Sequence, residues 1–330
     1  MASVLFIGGT GQISLPCVQL AVEAGHKVSV LNRGQTSVPL PAGVATVVGD
    51  MNDAKSYAKL GDGKFDVVCQ FRAYTPEQMA RDIATFTGKT GQYIFISSAS
   101  AYQKPAHHYI ITERTPLENP YWEYSRNKAT CEKMLRDQAK LRWTIVRPSH
   151  TVRTGMPIQI GDSDAGLRRM IAGKPVIVAG DGTSLWTLTR CVDLAVPFVR
   201  LFGNKAALND DFQITSDRAY TWDQIHTAIG RGMGVEAKHA HVPTDTLVRY
   251  NKAWEGPLMG DKSWSAVFDN TKIKKVAGPF EASTDLDVIL HDSIMHAKTR
   301  LKTLAEPTAE VAKEDALFDR IIAEQGKLGR

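Results

Sequence analysis

Tyr124 and Lys128 stand four residues apart in the run Tyr124-Ser125-Arg126-Asn127-Lys128. On a helix that spacing puts both side chains on one face. A phenol titrates near roughly 10, too high for efficient proton transfer at neutral pH. A neighbouring ammonium favours the phenolate and brings that value down. The pair is a candidate proton-transfer unit, and the lysine can also hold a ribose. Ser98 lies upstream, at the end of an apolar run. A second cluster is Gly8-Gly9-Thr10-Gly11-Gln12-Ile13-Ser14. Glycines let a backbone turn tightly and approach phosphates, and free N–H groups at a helix start favour negative charge. The cluster reads as a dinucleotide loop, with Gly8, Thr10, Gly11, Gln12 and Ile13 as candidate contacts. Ser14 occupies the place where a third glycine would allow close helix–strand packing.

The elements around these residues alternate. Apolar runs predict strands over Ser3–Ile7, Lys27–Leu31, Val44–Val48, Phe65–Gln70, Tyr93–Ser97 and Trp143–Val146. Helical spacing predicts helices over Gln12–Ala24, Asn52–Leu60, Pro76–Phe86 and Tyr121–Lys140. Strands alternating with helices predict a Rossmann-type α/β fold, a doubly wound parallel sheet covered on both faces. The glycine loop then sits at the first strand–helix junction and Tyr124 and Lys128 on the long helix. After Arg147 the pattern is irregular, with short helices near Asp164–Ala172, Val192–Phe202, Thr221–Gly230 and Asp285–Leu301. This predicts a cofactor and catalytic unit over 1–150 and a smaller, interleaved substrate region over 151–305. A helical tail over 306–330, with its helix around Asp315–Gln325, is expected to dock on the body or a partner subunit.

The end of the second strand sets cofactor type. An acidic residue there accepts from a ribose 2′-OH, whereas an arginine accommodates a 2′-phosphate. Asn32-Arg33-Gly34 contains no acid, so the expected cofactor is NADP, with NAD second. Asp50, after the third strand, is a candidate for the adenine side or an N-cap of the next helix.

Composition narrows the class. The chain has 330 residues, 43% of them hydrophobic and 23% charged, and a net charge of +5. The charges are interspersed, so a nucleic-acid tail is not expected. No apolar run approaches the roughly 20 residues of a bilayer span, and the N-terminus runs straight into the glycine loop without a signal peptide. Cys17, Cys69, Cys131 and Cys191 are far apart. They suggest buried thiols in a reducing compartment, not a disulfide set or a metal frame. A cytoplasmic globular enzyme without metal is the expectation.

Taken together, these motifs resemble the extended short-chain dehydrogenases/reductases, the NAD-dependent epimerase/dehydratase-like enzymes, over about residues 2–300. The resemblance is carried by the loop at 8–14, Ser97-Ser98-Ala99-Ser100-Ala101-Tyr102, Tyr124/Lys128, Gly180-Asp181-Gly182 and Asp193-Leu194-Ala195. It implies Tyr124 as general acid/base, Lys128 as its electrostatic partner and ribose holder, and Ser98 as donor to the reacting oxygen. Phe71, at the end of the fourth strand, and Ser100, beyond Ser98, are implied cofactor and substrate contacts. It also implies a homodimer through the helices at Pro76–Phe86 and Tyr121–Lys140.

Departures narrow the substrate. Ala99 and Ser100 replace the acids that eliminate water in the family's dehydratases. His150 and Trp186 stand where nucleotide-sugar enzymes carry an asparagine and an arginine that hold a diphosphate. Arg153, Arg168, Arg169 and Arg190 are possible replacements. His150 is read as a substrate hydrogen bond, a proton carrier or a structural histidine. Trp186, Trp254 and Trp264 are read as a substrate wall or as core, and His107-His108-Tyr109 as an exposed loop. Arg72, where the family has a small residue, is a candidate contact to cofactor phosphate or an outward ion pair. The expected activity is NAD(P)-dependent oxidation or reduction of a secondary alcohol or ketone on a small molecule such as a sugar or polyol. Two other readings stay open: a sugar or nucleotide-sugar epimerase with retained NAD, and a non-enzymatic RNA-binding or redox-sensing relative.

Overall fold

The computed structural model describes residues 1–35, 38–138, 140–161, 163–304 and 306–328. Ala139, Ala305, Gly329 and Arg330, at the ends of the expected long helix, second region and tail, lie outside the described residues.

Seven parallel strands form the central sheet: β1 (Ser3–Ile7), β2 (Lys27–Asn32), β3 (Ala45–Val48), β4 (Phe65–Gln70), β5 (Thr90–Ile96), β6 (Trp143–Pro148) and β7 (Asp210–Ile214). Their spatial order is β7-β6-β5-β4-β1-β2-β3. The sheet is buried on both sides because the strands are apolar at successive positions, not alternate ones. Along β1, Val4 and Phe6 enter one core while Leu5 and Ile7 enter the other. Strand periodicity sends neighbours to opposite faces, so one five-residue run serves both layers. α1 (Ser14–Glu23), α2 (Ala54–Ala58), α3 (Pro76–Phe86) and α4 (Glu123–Asp137) follow β1, β3, β4 and β5.

The strand order reverses between β1 and β4, where successive crossovers leave in opposite directions. In such sheets ligands bind in the crevice beyond the carboxyl ends of the strands at that point. Gly8, Phe71 and Ser98 all lie just past those ends.

Two expectations are corrected. The sheet has a seventh strand, β7, from the second half of the chain, where six strands from the first half were expected. The long helix begins at Glu123 and ends at Asp137. The second half otherwise builds three small sheets, one joining His150–Val152, Leu185–Arg190 and Ala219–Thr221. Another pairs Ile110–Ile111 with Val267–Phe268, which ties the loop after Ser98 to the C-terminal region. The tail forms a helix, Ala309–Leu328, longer than expected and docked on the body. Phe318 and Ile321 are buried there, and Arg169 bonds Asp315 and Asp319 at 2.5 and 2.8 Å. All four cysteines are free and buried. Among the described residues no helix is long and apolar enough to cross a membrane.

Candidate active site

A cleft of about 660 Å³ runs along the carboxyl ends of β1, β2, β3, β4 and β5. The loop Gly8–Ile13 forms its floor. Gly8 has φ +84°, and a Cβ there would lie 2.4 Å from Arg72 Cγ. Gly9 lies where a Cβ would meet Val30 at 2.6 Å and Val18 at 3.2 Å. It thus permits close approach of loop, strand and helix, the packing role assigned on sequence to the Ser14 position. Ser14 acts differently: its Oγ accepts the Gly11 N–H at 2.9 Å. Gln12 Oε1 accepts from Thr154 N and Oγ1 at 3.1 and 3.0 Å, which pins the loop to the second half.

Asn32, Arg33, Asp50 and Phe71 line the same cleft. Asn32 Oδ1 accepts the Gly34 N–H at 2.9 Å, and Arg33 is exposed at the lip. Asp50 does not cap α2; Asp53 does, accepting from Lys55 N. Arg72 is neither buried nor ion-paired among the described residues. Its stem covers Gly8 and its guanidinium lies 5.4 Å from the centroid of the Tyr74 ring.

The cleft fits a dinucleotide on two observations. Its glycine floor leaves no room for a Cβ at Gly8 or Gly9. Ser97 Oγ, on the wall at the end of β5, is buried without a hydrogen-bond partner. An orphaned buried hydroxyl costs stability unless something pairs with it.

Ser98, Tyr124 and Lys128 line the inner end of this cleft. Lys128 is 1% exposed, and its Nζ donates to Ala73 O and Ile96 O, both at 2.8 Å. Burial lowers it to about 7. Tyr124 moves the other way: burial raises it to about 12, against the hydroxyl of Ser98, which favours the phenolate. The expectation that Lys128 depresses the Tyr124 value is therefore corrected for this state. Lys128 spends its donors on backbone carbonyls and sits 5.8 Å from the Tyr124 ring centroid, while desolvation dominates both groups.

A second, smaller pocket of about 80 Å³ opens off the cleft at Ser98, Pro148 and Ser149. Ser100 and His150 line it, as do Lys104 and Asp261, which sequence reasoning missed. Ser100 Oγ contacts Ser98 Oγ at 2.9 Å and accepts from Ser125 Oγ at 2.8 Å. Asp261 projects from a π-helical turn, Leu258–Lys262, a form frequent at functional sites. Asn119 Nδ2 bonds Ser100 O at 2.7 Å and Gly260 O at 2.6 Å, fastening that turn beside the serines.

Of the two readings of Trp186, substrate wall or core, the structure has the core: it is 2% exposed and lines neither cavity, so its place among the substrate contacts is corrected. It stacks on Trp222 at 5.3 Å and donates from Nε1 to His150 Nδ1 at 3.1 Å. That bond leaves the proton of the neutral imidazole on Nε2. Burial lowers His150 to about 3, so it is a hydrogen-bonding group and not a proton carrier near neutral pH. Trp254 is core against Phe318. Arg168 and Arg169 hold the C-terminal tail, Arg190 lies 3.8 Å from Asp193, and Arg153 bonds Gln12 O. None of the four lines either cavity. His107, His108 and Tyr109 are exposed.

Residues 8–166 match a family model described as NAD(P)H-binding. The chain has the fold of an NAD+-bound enzyme from Bordetella bronchiseptica, WbmH, at TM-score 0.71 and 16% identity, covering 90% of this chain and 99% of that one. It has equally the fold of a short-chain dehydrogenase/reductase superfamily protein with bound NAD from Agrobacterium tumefaciens. There the TM-score is 0.66 and the identity 18%, covering 92% of this chain and 100% of that one. Residues 8–166 thus form an NAD(P)H-binding domain, and the chain as a whole shares the fold of these NAD-bound proteins. Two curated relatives are similar in sequence. One is a 2′-dehydrokanamycin reductase from Streptomyces kanamyceticus, 24% identical over 84% of this chain and 80% of its own. The other is chloroplast stem-loop binding protein of 41 kDa b from Arabidopsis thaliana, 27% identical over 75% of this chain and 66% of its own.

Proposed function

We propose that the protein interconverts a secondary alcohol and a ketone on a sugar or polyol, using a nicotinamide dinucleotide, with NADP preferred. The observation that carries this is the meeting of Ser98, Tyr124 and Lys128 at the inner end of the glycine-floored cleft. When bound, the nicotinamide supplies or accepts the hydride at the substrate carbon. In the reductive direction Tyr124 gives its hydroxyl proton to the carbonyl oxygen, and in the oxidative direction it takes that proton back. Ser98 Oγ donates to the same oxygen, stabilising the charge that develops there. Lys128, with two of its three donors on Ala73 O and Ile96 O, has one left for the ribose.

Arg33 at the end of β2, with no acid beside it, supports the NADP preference. Among the described residues no arginine lines the smaller pocket off Ser98, which supports a substrate without a nucleotide diphosphate. The name of the Streptomyces relative, a 2′-dehydrokanamycin reductase, agrees with this class. We further propose a homodimer through α3 and α4, to be read as a doubled mass by light scattering.

The test is hydride transfer followed at the nicotinamide absorbance, with simple and sugar-derived ketones and both cofactors. Oxidation of NADPH by a polyol ketone is expected. Tightly retained NAD with no net turnover would point instead to an epimerase. Salt-resistant RNA binding undiminished in Tyr124→Phe would point to the non-enzymatic reading that the Arabidopsis relative's name suggests.

A further inference from the structure

The pocket off Ser98 contains two charged side chains left without partners. Lys104 is 3% exposed, yet among the described residues its Nζ has no hydrogen-bond or ion-pair partner; its backbone N–H is the bonded group, to Glu118 O at 2.8 Å. Asp261 is half-buried on the same pocket wall, and among the described residues no hydrogen bond or ion pair reaches its carboxylate. The two charges feel each other, since each moves the other toward its ionised form, but no ion pair closes between them. Buried ionic groups are costly unless paired and hydrogen-bonded. Burial accordingly pushes Lys104 down and Asp261 up, the latter to about 6. A ligand that bonded both would restore what burial removed.

The lining defines the ligand. One part is polar, with an ammonium donor, a carboxylate acceptor and the His150 Nε2–H. Another is apolar, formed by Ile111, Ala266 and Phe268. The charges sum to zero, and Lys262, next to Asp261, turns its Nζ away to Ile158 O at 2.9 Å. A volume of about 80 Å³ holds only a handful of water-sized groups, which is one edge of a ring, two neighbouring hydroxyls and the carbons that carry them, with the rest of the ring in the cleft at Ser98. A pyranose or cyclitol ring matches such a lining: an apolar C–H face, with neighbouring hydroxyls at the edge that both donate and accept.

We propose that Lys104 and Asp261 are specificity-determining residues that take adjacent hydroxyls of an uncharged sugar or cyclitol ring, holding it at Ser98. This deepens the function proposed above and rests on it for the position of the reacting carbon. Asp261 accepts from one hydroxyl and Lys104 donates to its neighbour. The apolar wall covers the ring face.

The experiment uses full-length protein saturated with NADP+. Calorimetry compares methyl α-D-glucopyranoside and myo-inositol with tetrahydropyran, which lacks hydroxyls, and with glucuronate and glucosamine as charged rings. The wild-type protein should bind the neutral hydroxylated rings above tetrahydropyran. Lys104→Met and Asp261→Asn should each weaken that binding about tenfold to a hundredfold, the range for a hydrogen bond to a charged group, with NADP+ affinity unchanged. Retained NADP+ binding shows that a variant is folded, and Lys104→Gln serves if the methionine variant does not fold. The proposal is overturned if the wild-type protein binds no hydroxylated ring, if a charged ring binds tenfold better than the neutral ones, or if the variants bind as the wild type does. Hydride transfer is assayed separately. Its absence alongside Lys104- and Asp261-dependent ring binding would sink the oxidoreductase reading and leave this subsite standing. Its presence with unaltered KM in both variants would do the reverse.

Discussion

Lys128 Nζ donates to the carbonyl oxygen of Ile96 at 2.8 Å, so the charge of α4 is tied to the last residue of β5. The same strand end carries Ser97 and Ser98. One hydrogen bond therefore sets the distance between the helix that presents Tyr124 and the loop that presents its serine partner.

Tyr124→Phe removes the proton-transfer hydroxyl and little else, because Tyr124 is half-buried at a cavity wall. Turnover should fall by roughly 10²–10⁴-fold, the usual contribution of a positioned acid/base, with thermal stability nearly unchanged. Steady-state assays beside a melting curve check this, and near-wild-type turnover would refute the role.

The Lys128 environment predicts a pH effect on stability. Burial holds Lys128 at about 7 in the folded chain, below the ordinary lysine value of 10.5. Between those values the unfolded chain holds one proton more than the folded chain, so this group makes stability rise with pH. The slope should be positive between about 7 and 10, up to roughly 1.4 kcal/mol per pH unit. Below pH 7 both states are protonated and the penalty is present in full. Lys128→Met should flatten that slope in denaturant titrations of cofactor-free protein. An identical slope in both proteins would show that Lys128 is not destabilised by burial.

Much of the cofactor side was legible because its signals are local. The glycine loop, the Tyr–Lys spacing and the apolar strands each fit within a few residues. β7 was not legible, because Asp210-Asp211-Phe212-Gln213-Ile214 carries little apolar pattern. It is a strand because β6 pairs with it and because the buried Arg147 guanidinium meets Asp211 at 2.6 Å. Lys104 and Asp261 were hidden for a related reason: 157 positions apart in sequence, they meet only through tertiary packing. The π-helical turn that presents Asp261 has no short motif. Sequence left Trp186 open between substrate wall and core, because only stacking on Trp222, distant in the chain, places it in the core.

Arg33 should discriminate the cofactors. It is exposed at the cleft lip with no acid beside it. Arg33→Ala should weaken NADPH more than NADH in fluorescence titrations, and the gap should narrow at high salt, as expected of a partly solvated charge pair. Equal losses for both would show that Arg33 does not read the 2′-phosphate.

Gly8 tests the cradle. A side chain there meets two obstacles, a backbone φ of +84° and the Arg72 stem 2.4 Å away. Left-handed backbone alone costs an L-residue about 1–2 kcal/mol. Gly8→Ala should displace the loop and weaken NADPH binding about tenfold or more. Adding Arg72→Ala removes the steric obstacle but not the backbone one, so the double variant should recover only part of the loss. Full recovery would show that conformation at Gly8 is unimportant, and no recovery that Arg72 does not crowd the loop.

Trp186→Phe separates core support from ligand contact. The substitution keeps an aromatic ring against Trp222 but removes the donor to His150 Nδ1. A buried acceptor left unpaired costs about 1–3 kcal/mol. That loss should appear in equilibrium denaturation, while NADPH affinity stays at its wild-type value because Trp186 lines neither cavity. His150→Phe also removes the acceptor, so the two substitutions together should cost less than their sum. Additive losses would mean that the Trp186–His150 bond contributes nothing, and that His150 is oriented by the pocket wall alone.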